Sequence, residues 1–321
     1  MFAGDLHAQR RIALTTSHAP GTPRPSVAAS LFLALRPAQW TKNLIVFAAL
    51  IFGQRLLDVD SVVRAAVAFL AFCALSGVVY ILNDVVDREA DRQHPLKRFR
   101  PIAAGHLSVT LALTTAGVLL TGALLASLWL GPAFLVHAAA YVLLQVAYSL
   151  GLKRQVILDV LSIALGFVIR ASAGGAAIHV PVSQWLLVCT ILLALFLALA
   201  KRRHEITLLG EDAARHRAIL GEYTPYLVDQ MISVVTASTL MGYAFYTVSS
   251  DTTERFGTKW LGLTLPFPLY GIFRYLYLVH RRSQGGSPTE LLLADRPLLL
   301  CVALWGATTI ALIYHPWTLA R

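Results

Sequence analysis

Long apolar runs, separated by short polar stretches, occupy most of the chain. They fall near residues 38–57, 62–82, 107–128, 131–150, 156–177, 183–200, 230–249, 259–279 and 297–315. Each approaches the roughly 20 residues that an α-helix needs to cross a bilayer. None shows the period-two alternation of a membrane strand. In lipid, only helices and closed barrels satisfy their own backbone. The pattern therefore predicts an all-α integral membrane protein, a bundle of about nine transmembrane helices.

Composition agrees with this reading. Hydrophobic residues make up 57% of the chain and charged residues 14%, against roughly 25% charged in soluble domains. Residues 1–30, including "SHAPGTPRPS", are polar and rich in Pro, Ser, Thr and Gly. They contain no short apolar core with a cleavage site, so a flexible cytosolic tail is expected there, ahead of a transmembrane region over 31–321. The net charge is +10. Its bases gather on one set of loops: Arg10, Arg11, Arg24, Arg36, the run from Arg88 to Arg100, Lys153, Arg154, Lys201 to Arg203, Arg215, Arg217, Arg281, Arg282 and Arg296. The opposite loops hold mainly Arg55, Arg64, Arg255 and Lys259. The positive-inside rule then places the N-terminus and the charged loops in the cytoplasm and Arg321 outside the cell membrane. That asymmetry explains the charge without a nucleic-acid partner. Cys73, Cys189 and Cys301 lie far apart in apolar segments and read as packing residues.

The stretch "NDVVDREADRQHPLKRFRPIAAG" (Asn83 to Gly105) does not fit a plain membrane anchor. If the second helix continues through Asn83, then Asp84, Asp87 and Asp91 stand at i, i+3 and i+7 on one face. Unopposed, these carboxylates repel one another, and a divalent cation would remove the repulsion. Mg²⁺ takes one or two carboxylates and shares its remaining positions with water and phosphate oxygens. Lys97, Arg98 and Arg100 follow at once, and Arg in particular grips phosphate with two donors. Acids for a metal beside bases for phosphate describe a diphosphate site. The competing reading is a solvated helix end whose acids pair with Arg88 and Arg92, followed by ordinary positive-inside anchoring.

Other charges sit in or near the spans. Lys42 lies at the mouth of the first, in "RPAQWTKNLIVF". Asp159 and Arg170 belong to the fifth, eleven residues apart and on one face. They are read either as a structural pair or as groups lining a cavity, because a charge within the bilayer needs a polar partner. Lys201, Arg202 and Glu205 close the sixth span, either extending a site or forming a solvated interfacial helix. Tyr148 and Tyr223 suit phosphate or ribose contacts as well as an interfacial aromatic belt. Ala171, Ala173, Gly174 and Gly175 suit room for a lipid tail as well as close helix packing. His204 reads as interfacial, and His94 stands close to the acids. No Gly-rich P-loop, nucleophile elbow or Cys metal cluster is present.

The motif N-D-x-x-D-x-x-x-D at the end of the second span resembles that of the UbiA superfamily of membrane prenyltransferases. "RPAQWTKN", "HPLKRFRPIAAG", "AYSLGLKRQ", "VIRASAGG" and "AKRRHE", in that order, resemble its decaprenyl-phosphate phosphoribosyltransferase branch. The resemblance implies a nine-helix bundle with a cytosol-facing polar cavity, in which the Asp-rich motif holds Mg²⁺ and a diphosphate. The donor it implies is phosphoribosyl pyrophosphate and the acceptor a polyprenyl phosphate, with pyrophosphate released on the way to arabinan and cell-wall precursors. It also hints at a homotrimer. Members using prenyl diphosphates carry a second Asp-rich cluster after the sixth helix. Here that loop has Glu205, Glu211 and Asp212 without the D-x-x-x-D spacing.

On this reading Asp84, Asp87 and Asp91 hold the metal and serve the leaving pyrophosphate, and Asn83 fixes a metal-bound water or a ribose hydroxyl. The candidates for binding the substrate anions are Lys42, Lys97, Arg98, Arg100, Lys153, Arg170, Lys201 and Arg202, with Tyr148 and Tyr223. A lipid phosphate is already anionic at neutral pH, so no strong general base is required. One rival reading is a prenyltransferase acting on an aromatic acceptor. Another is a transporter of a phosphorylated metabolite, for which inverted repeats would be the usual sign.

Overall fold

The fold comes from a computed structural model that describes residues 25–94, 97–210, 218–281 and 286–314. Most of the expected N-terminal tail, Glu211, Asp212, Arg215, Arg217, Arg282 and Arg321 lie outside the described residues. Among those described are thirteen α-helices and no strand, as an all-α chain requires. The chain divides into two compact units. One takes the described residues of Met1–Leu50, Asp58–Ser149 and Ile169–Val180, the other those of Ile51–Leu57, Leu150–Val168 and Pro181–Arg321.

In the first unit, helix α1 (Val27–Ala34) opens at Ser26, whose hydroxyl accepts from the Ala29 amide at 3.2 Å and caps the first turn. A 3₁₀ segment, Pro37–Phe47, leads into α2 (Ala48–Phe52). Helices α3 (Val59–Val86), α4 (Arg88–Gln93), α5 (Val109–Leu130) and α6 (Pro132–Leu150) follow. Helix α3 packs along α5. Ala34, Val78, Ile81, Ile102, Leu107, Ala112 and Ala116 form the core at the end of α3 that carries the acids. On α5, Val118, Leu124, Leu125 and Leu128 stay exposed, the expected outer face of a helix solvated by lipid.

Helix α7 (Leu158–Ala177) gives its first residues to the second unit and its last to the first. The last turns explain the small residues of "ASAGG". A Cβ built on Gly174 would lie 2.1 Å from the Val46 carbonyl oxygen, so Gly174 permits close contact between two backbones. Ala171 and Ala173 are fully buried beside it in sequence. Of the two sequence readings for this stretch, packing is the one that Gly174 serves.

The second unit holds α8 (Gln184–Leu209), α9 (Pro225–Val248), α10 (Ser250–Phe256), α11 (Pro266–Arg281), α12 (Pro288–Ala294) and α13 (Arg296–Tyr314). Helices α8 and α9 pack together, as do α11 and α13. Phe196, Leu199, Val228, Ile232, Ile272, Tyr275 and Leu298 belong to its main core.

Seven of the described helices, α3, α5, α6, α7, α8, α9 and α13, are long and apolar enough to cross a membrane. They coincide with seven of the nine expected runs. The other two runs are not continuous helices. The first half of run 38–57 belongs to the 3₁₀ segment Pro37–Phe47, where Pro37 has no amide donor and Gln39, Thr41, Lys42 and Asn43 interrupt the apolar pattern. Eleven residues is unusually long for 3₁₀ geometry, whose hydrogen bonds are poorer. Run 259–279 is a 3₁₀ turn, Trp260–Thr264, then the 16-residue α11, which restarts at Pro266.

Candidate functional site

The acidic motif lies where α3 gives way to α4. Helix α3 ends at Val86, Asp87 forms the junction with φ −85° and ψ 4°, and α4 resumes at Arg88. The Asp87 amide donates to the Asn83 carbonyl at 2.9 Å and the Asp91 amide to the Asp87 carbonyl at 2.8 Å, so the helical path survives the break. Residues seven apart differ by only about 20° around a helix. Asp84 and Asp91 accordingly point the same way, and both are buried, at 2% and 1% exposure. Asp87 is exposed and Asn83 half-buried.

The acids are not unopposed, and here the sequence expectation needs correction. One nitrogen of Arg100, Nη1, donates to Asp84 Oδ1 at 3.0 Å and to Asp91 Oδ2 at 2.7 Å. Arg36 Nη2 donates to the same Asp84 oxygen at 2.6 Å. Lys97 Nζ lies 3.9 Å from Asp91 Oδ1. Burial pushes the Lys97 ammonium below the ordinary lysine range and the Arg100 guanidinium adds to that, while Asp91 and Asp87 oppose it. Asp84 and Asp91 thus meet Arg36, Lys97 and Arg100 in one cluster, and the exposed Asp87 acts on Lys97 through its charge. Arg98 is exposed, its guanidinium over the Phe99 ring at 4.9 Å, and it makes none of these ion pairs. The expected alternative partner, Arg92, pairs instead with Glu89 at 3.0 Å.

Arg36 was counted in the sequence only as an anchoring base. Its backbone is left-handed, with φ 52° and ψ 65°, uncommon for a residue with a side chain. The guanidinium lies 4.7 Å from the Tyr80 ring centroid. The available signal was its position, a charge wedged between the apolar "LFLAL" and Pro37.

A second polar group in this unit surrounds Arg170. Its Nε donates to Asn43 Oδ1 at 2.7 Å and its Nη2 to the Tyr141 hydroxyl at 2.9 Å. Tyr141 also meets Ser76 at 3.1 Å and accepts from Gln145 at 2.7 Å. Asn43 and Tyr141 were missed because each looks ordinary in sequence, one beside a lysine and the other in an apolar run. Lys42 and Tyr148 are half-buried, in the 3₁₀ segment and the last turns of α6.

In the second unit, Asp159 accepts from Arg202 Nε at 2.9 Å and from the Tyr223 hydroxyl at 2.7 Å. Arg202 also donates to Glu205, and Lys201 Nζ lies 3.9 Å from that residue. Arg202 is 1% exposed and holds two carboxylates, Asp159 and Glu205. The direct Asp159–Arg170 pair also fails. Eleven residues of helix separate them by about 16 Å, and each has partners of its own.

Tyr223 is committed as well. Its hydroxyl accepts from the Ile157 amide at 2.7 Å while donating to Asp159. Burial first, then Asp159, pushes its pKa up to about 12. Ile157 has φ 68°, and the Leu158 amide reaches the Val156 carbonyl at 2.7 Å across it. This is the strained hand of the γ-turn, in a β-branched residue for which positive φ is a genuine outlier. The turn follows the half-buried Lys153 and precedes α7.

Among the described residues, no group of three or more His, Cys, Asp or Glu is placed to hold a metal ion. Asp84 and Asp91 nevertheless bring two carboxylates to one cationic nitrogen. Hard oxygen donors in that number fit Mg²⁺, which completes its shell with water and phosphate. The donor set fits such an ion, with a guanidinium at the point of convergence.

Comparison with known proteins identifies the family. The UbiA prenyltransferase family signature matches residues 43–294. The decaprenyl-phosphate phosphoribosyltransferase of Mycolicibacterium smegmatis is 35% identical over 303 residues, covering 91% of this chain and 95% of that protein. Its counterpart from Corynebacterium glutamicum is 33% identical, covering 91% and 89%. A UbiA homolog from Archaeoglobus fulgidus, solved with DMAPP and Mg²⁺, superposes with a TM-score of 0.67 at 20% identity, covering 89% of this chain and 99% of that one. From the signature and these two relatives, the chain belongs to the UbiA prenyltransferase family.

Proposed function

We propose that the chain transfers the 5-phosphoribosyl group of phosphoribosyl pyrophosphate to a polyprenyl phosphate, releasing pyrophosphate and supplying an arabinan or cell-wall precursor. The observation that carries this reading is the cluster of buried Asp84, Asp91 and Arg100 with half-buried Arg36 and Lys97. The names of the two relatives support the same donor and acceptor.

Asp84 and Asp91 would hold Mg²⁺, with Asp87 exposed beside them, and the ion would supply charge stabilisation for the departing pyrophosphate. Lys97, Arg100 and Arg36 bind phosphate oxygens and offset the repulsion between two polyanionic substrates. The lipid phosphate attacks the anomeric carbon with an oxygen that is already anionic, so these residues orient the reactants and remove no proton. Asn83 contacts ribose or a bound water. Arg170 with Asn43 and Tyr141, and Lys42, Tyr148 and Lys153, are assigned to anion and ribose contacts. Lys201 acts through Glu205, and Arg202 and Tyr223 act as scaffold. The N-terminus and the charged loops face the cytoplasm of a cell membrane, and 31–321 form the catalytic region; the tail expected over 1–30 gives way earlier, since α1 begins at Val27 and buries Ser30. A homotrimer is the proposed assembly.

The test uses the purified full chain with Mg²⁺, labelled phosphoribosyl pyrophosphate and a polyprenyl phosphate, following label into the lipid phase. Transfer should require the metal and fall about a hundred- to a thousandfold in Asp84→Asn, as removal of a main electrostatic element does. No transfer by folded protein, together with prenylation of an aromatic acid from a prenyl diphosphate, would overturn the proposal.

A further inference from the structure

We propose that Arg36 and Arg100 are resident counter-ions that change partners when the donor binds. In the substrate-free protein they neutralise Asp84 and Asp91. When a cation–diphosphate complex arrives, the cation takes the carboxylates and the two guanidiniums pass to the diphosphate. This rests on the functional reading above, and it adds a role for Arg36 and a required partnership between metal and donor.

The geometry points to exchange because one oxygen, Asp84 Oδ1, serves both guanidiniums, at 2.6 Å from Arg36 and 3.0 Å from Arg100. The side chains of Arg36 and Asp84 are 10% and 3% exposed, and that of Arg100 4%. Buried charges in such a cluster cost most when one partner is removed and the other is left bare. A cation arriving alone displaces a guanidinium and strands it. An anion arriving alone draws a guanidinium from Asp84 and strands the carboxylate. Arriving together, they leave every charge paired. The planar guanidinium is suited to either partner, since it matches carboxylate and phosphate with the same fork of donors. Arg36 is also held by the Tyr80 ring at 4.7 Å, a contact that does not depend on which anion it faces. Metal and diphosphate therefore assist each other's binding, and by linkage the assistance is reciprocal.

The test separates the two halves of the exchange. Mn²⁺ serves as the metal probe, with binding to the substrate-free, detergent-solubilised full chain read from the paramagnetic resonance of the free ion. Inorganic pyrophosphate serves as the anion probe, titrated calorimetrically at saturating Mn²⁺. A neighbouring opposite charge changes a carboxylate's affinity for a proton by one to three pKa units, about 10–1,000-fold. Arg36→Gln should therefore tighten Mn²⁺ by about tenfold and weaken pyrophosphate by a similar factor. Arg64→Gln, which removes a charge near the start of α3, leaves both constants unaltered.

A residue that merely supported the fold would not strengthen metal binding when removed. Mn²⁺ affinity unchanged or weakened in Arg36→Gln overturns the proposal. If that variant does not fold, Arg100→Gln makes the same comparison from the other guanidinium. Absence of pyrophosphate binding to the unaltered protein also overturns the exchange, whereas pyrophosphate binding with Mn²⁺ tightened in the variant, in a protein that transfers no phosphoribosyl group, sinks the phosphoribosyl reading and keeps the exchange.

Discussion

Tyr223 shows how much a single hydroxyl can organise. It accepts from the Ile157 amide and donates to Asp159, which in turn holds Arg202. Phenylalanine there would leave the Ile157 amide without its acceptor and Asp159 without one donor. Asp159 is fully buried and a buried group short of a partner costs about 1–3 kcal/mol, so Tyr223→Phe should lower the thermal midpoint of the detergent-solubilised protein while leaving pyrophosphate affinity unchanged. A weakened affinity at an unchanged midpoint would instead make the hydroxyl a substrate contact. Residue roles were unevenly legible in the sequence. Asp84 and Asp91 could be placed together from spacing alone, because seven residues nearly close two helical turns. Arg36, Asn43 and Tyr141 could not, because their partners lie 48, 127 and 29 residues away, and nothing local encodes such distances.

Seven elements were legible from their apolar runs, even where Pro132 opens a helix or Asp159 and Arg170 enter one. The exceptions, Pro37–Phe47 and Trp260–Thr264, adopt 3₁₀ geometry: the first opens on Pro37 and carries four polar residues, and the second precedes the prolines that open the next helix. The 3₁₀ segment Pro37–Phe47 also brings backbone close to α7, and that contact has a measurable consequence. Gly→Ala in a helix is ordinarily favourable by about 0.5–1 kcal/mol. At Gly174 the sign should reverse, because the new Cβ would fall 2.1 Å from the Val46 carbonyl oxygen. Forcing such an atom into a packed position costs about 1–3 kcal/mol. Gly174→Ala should therefore unfold at a lower temperature than the parent. Gly117, with nothing within 4 Å of a built Cβ, is the matched site on α5 where alanine should be neutral or stabilising.

At the scale of the whole molecule, a multi-pass membrane protein with its bases gathered on one set of loops has a side, and the proposed side can be read directly. Glu254→Cys, on an exposed position of α10, should react in intact cells with a maleimide that cannot cross the membrane. Arg98→Cys, exposed beside the acidic cluster, should react only after the cells are opened, with the unaltered protein as blank. The reverse pattern would invert the proposed topology. The paired charges at Asp84 also bear on inhibitor chemistry. A simple phosphonate finds its guanidiniums already engaged and needs a metal as companion. A compound that joined an amidinium to a phosphonate at suitable spacing would bring both companions in one body, offering a cation to the carboxylates and an anion to the arginines they release. Its affinity would then be indifferent to chelators, which sets it apart from any mimic of the donor.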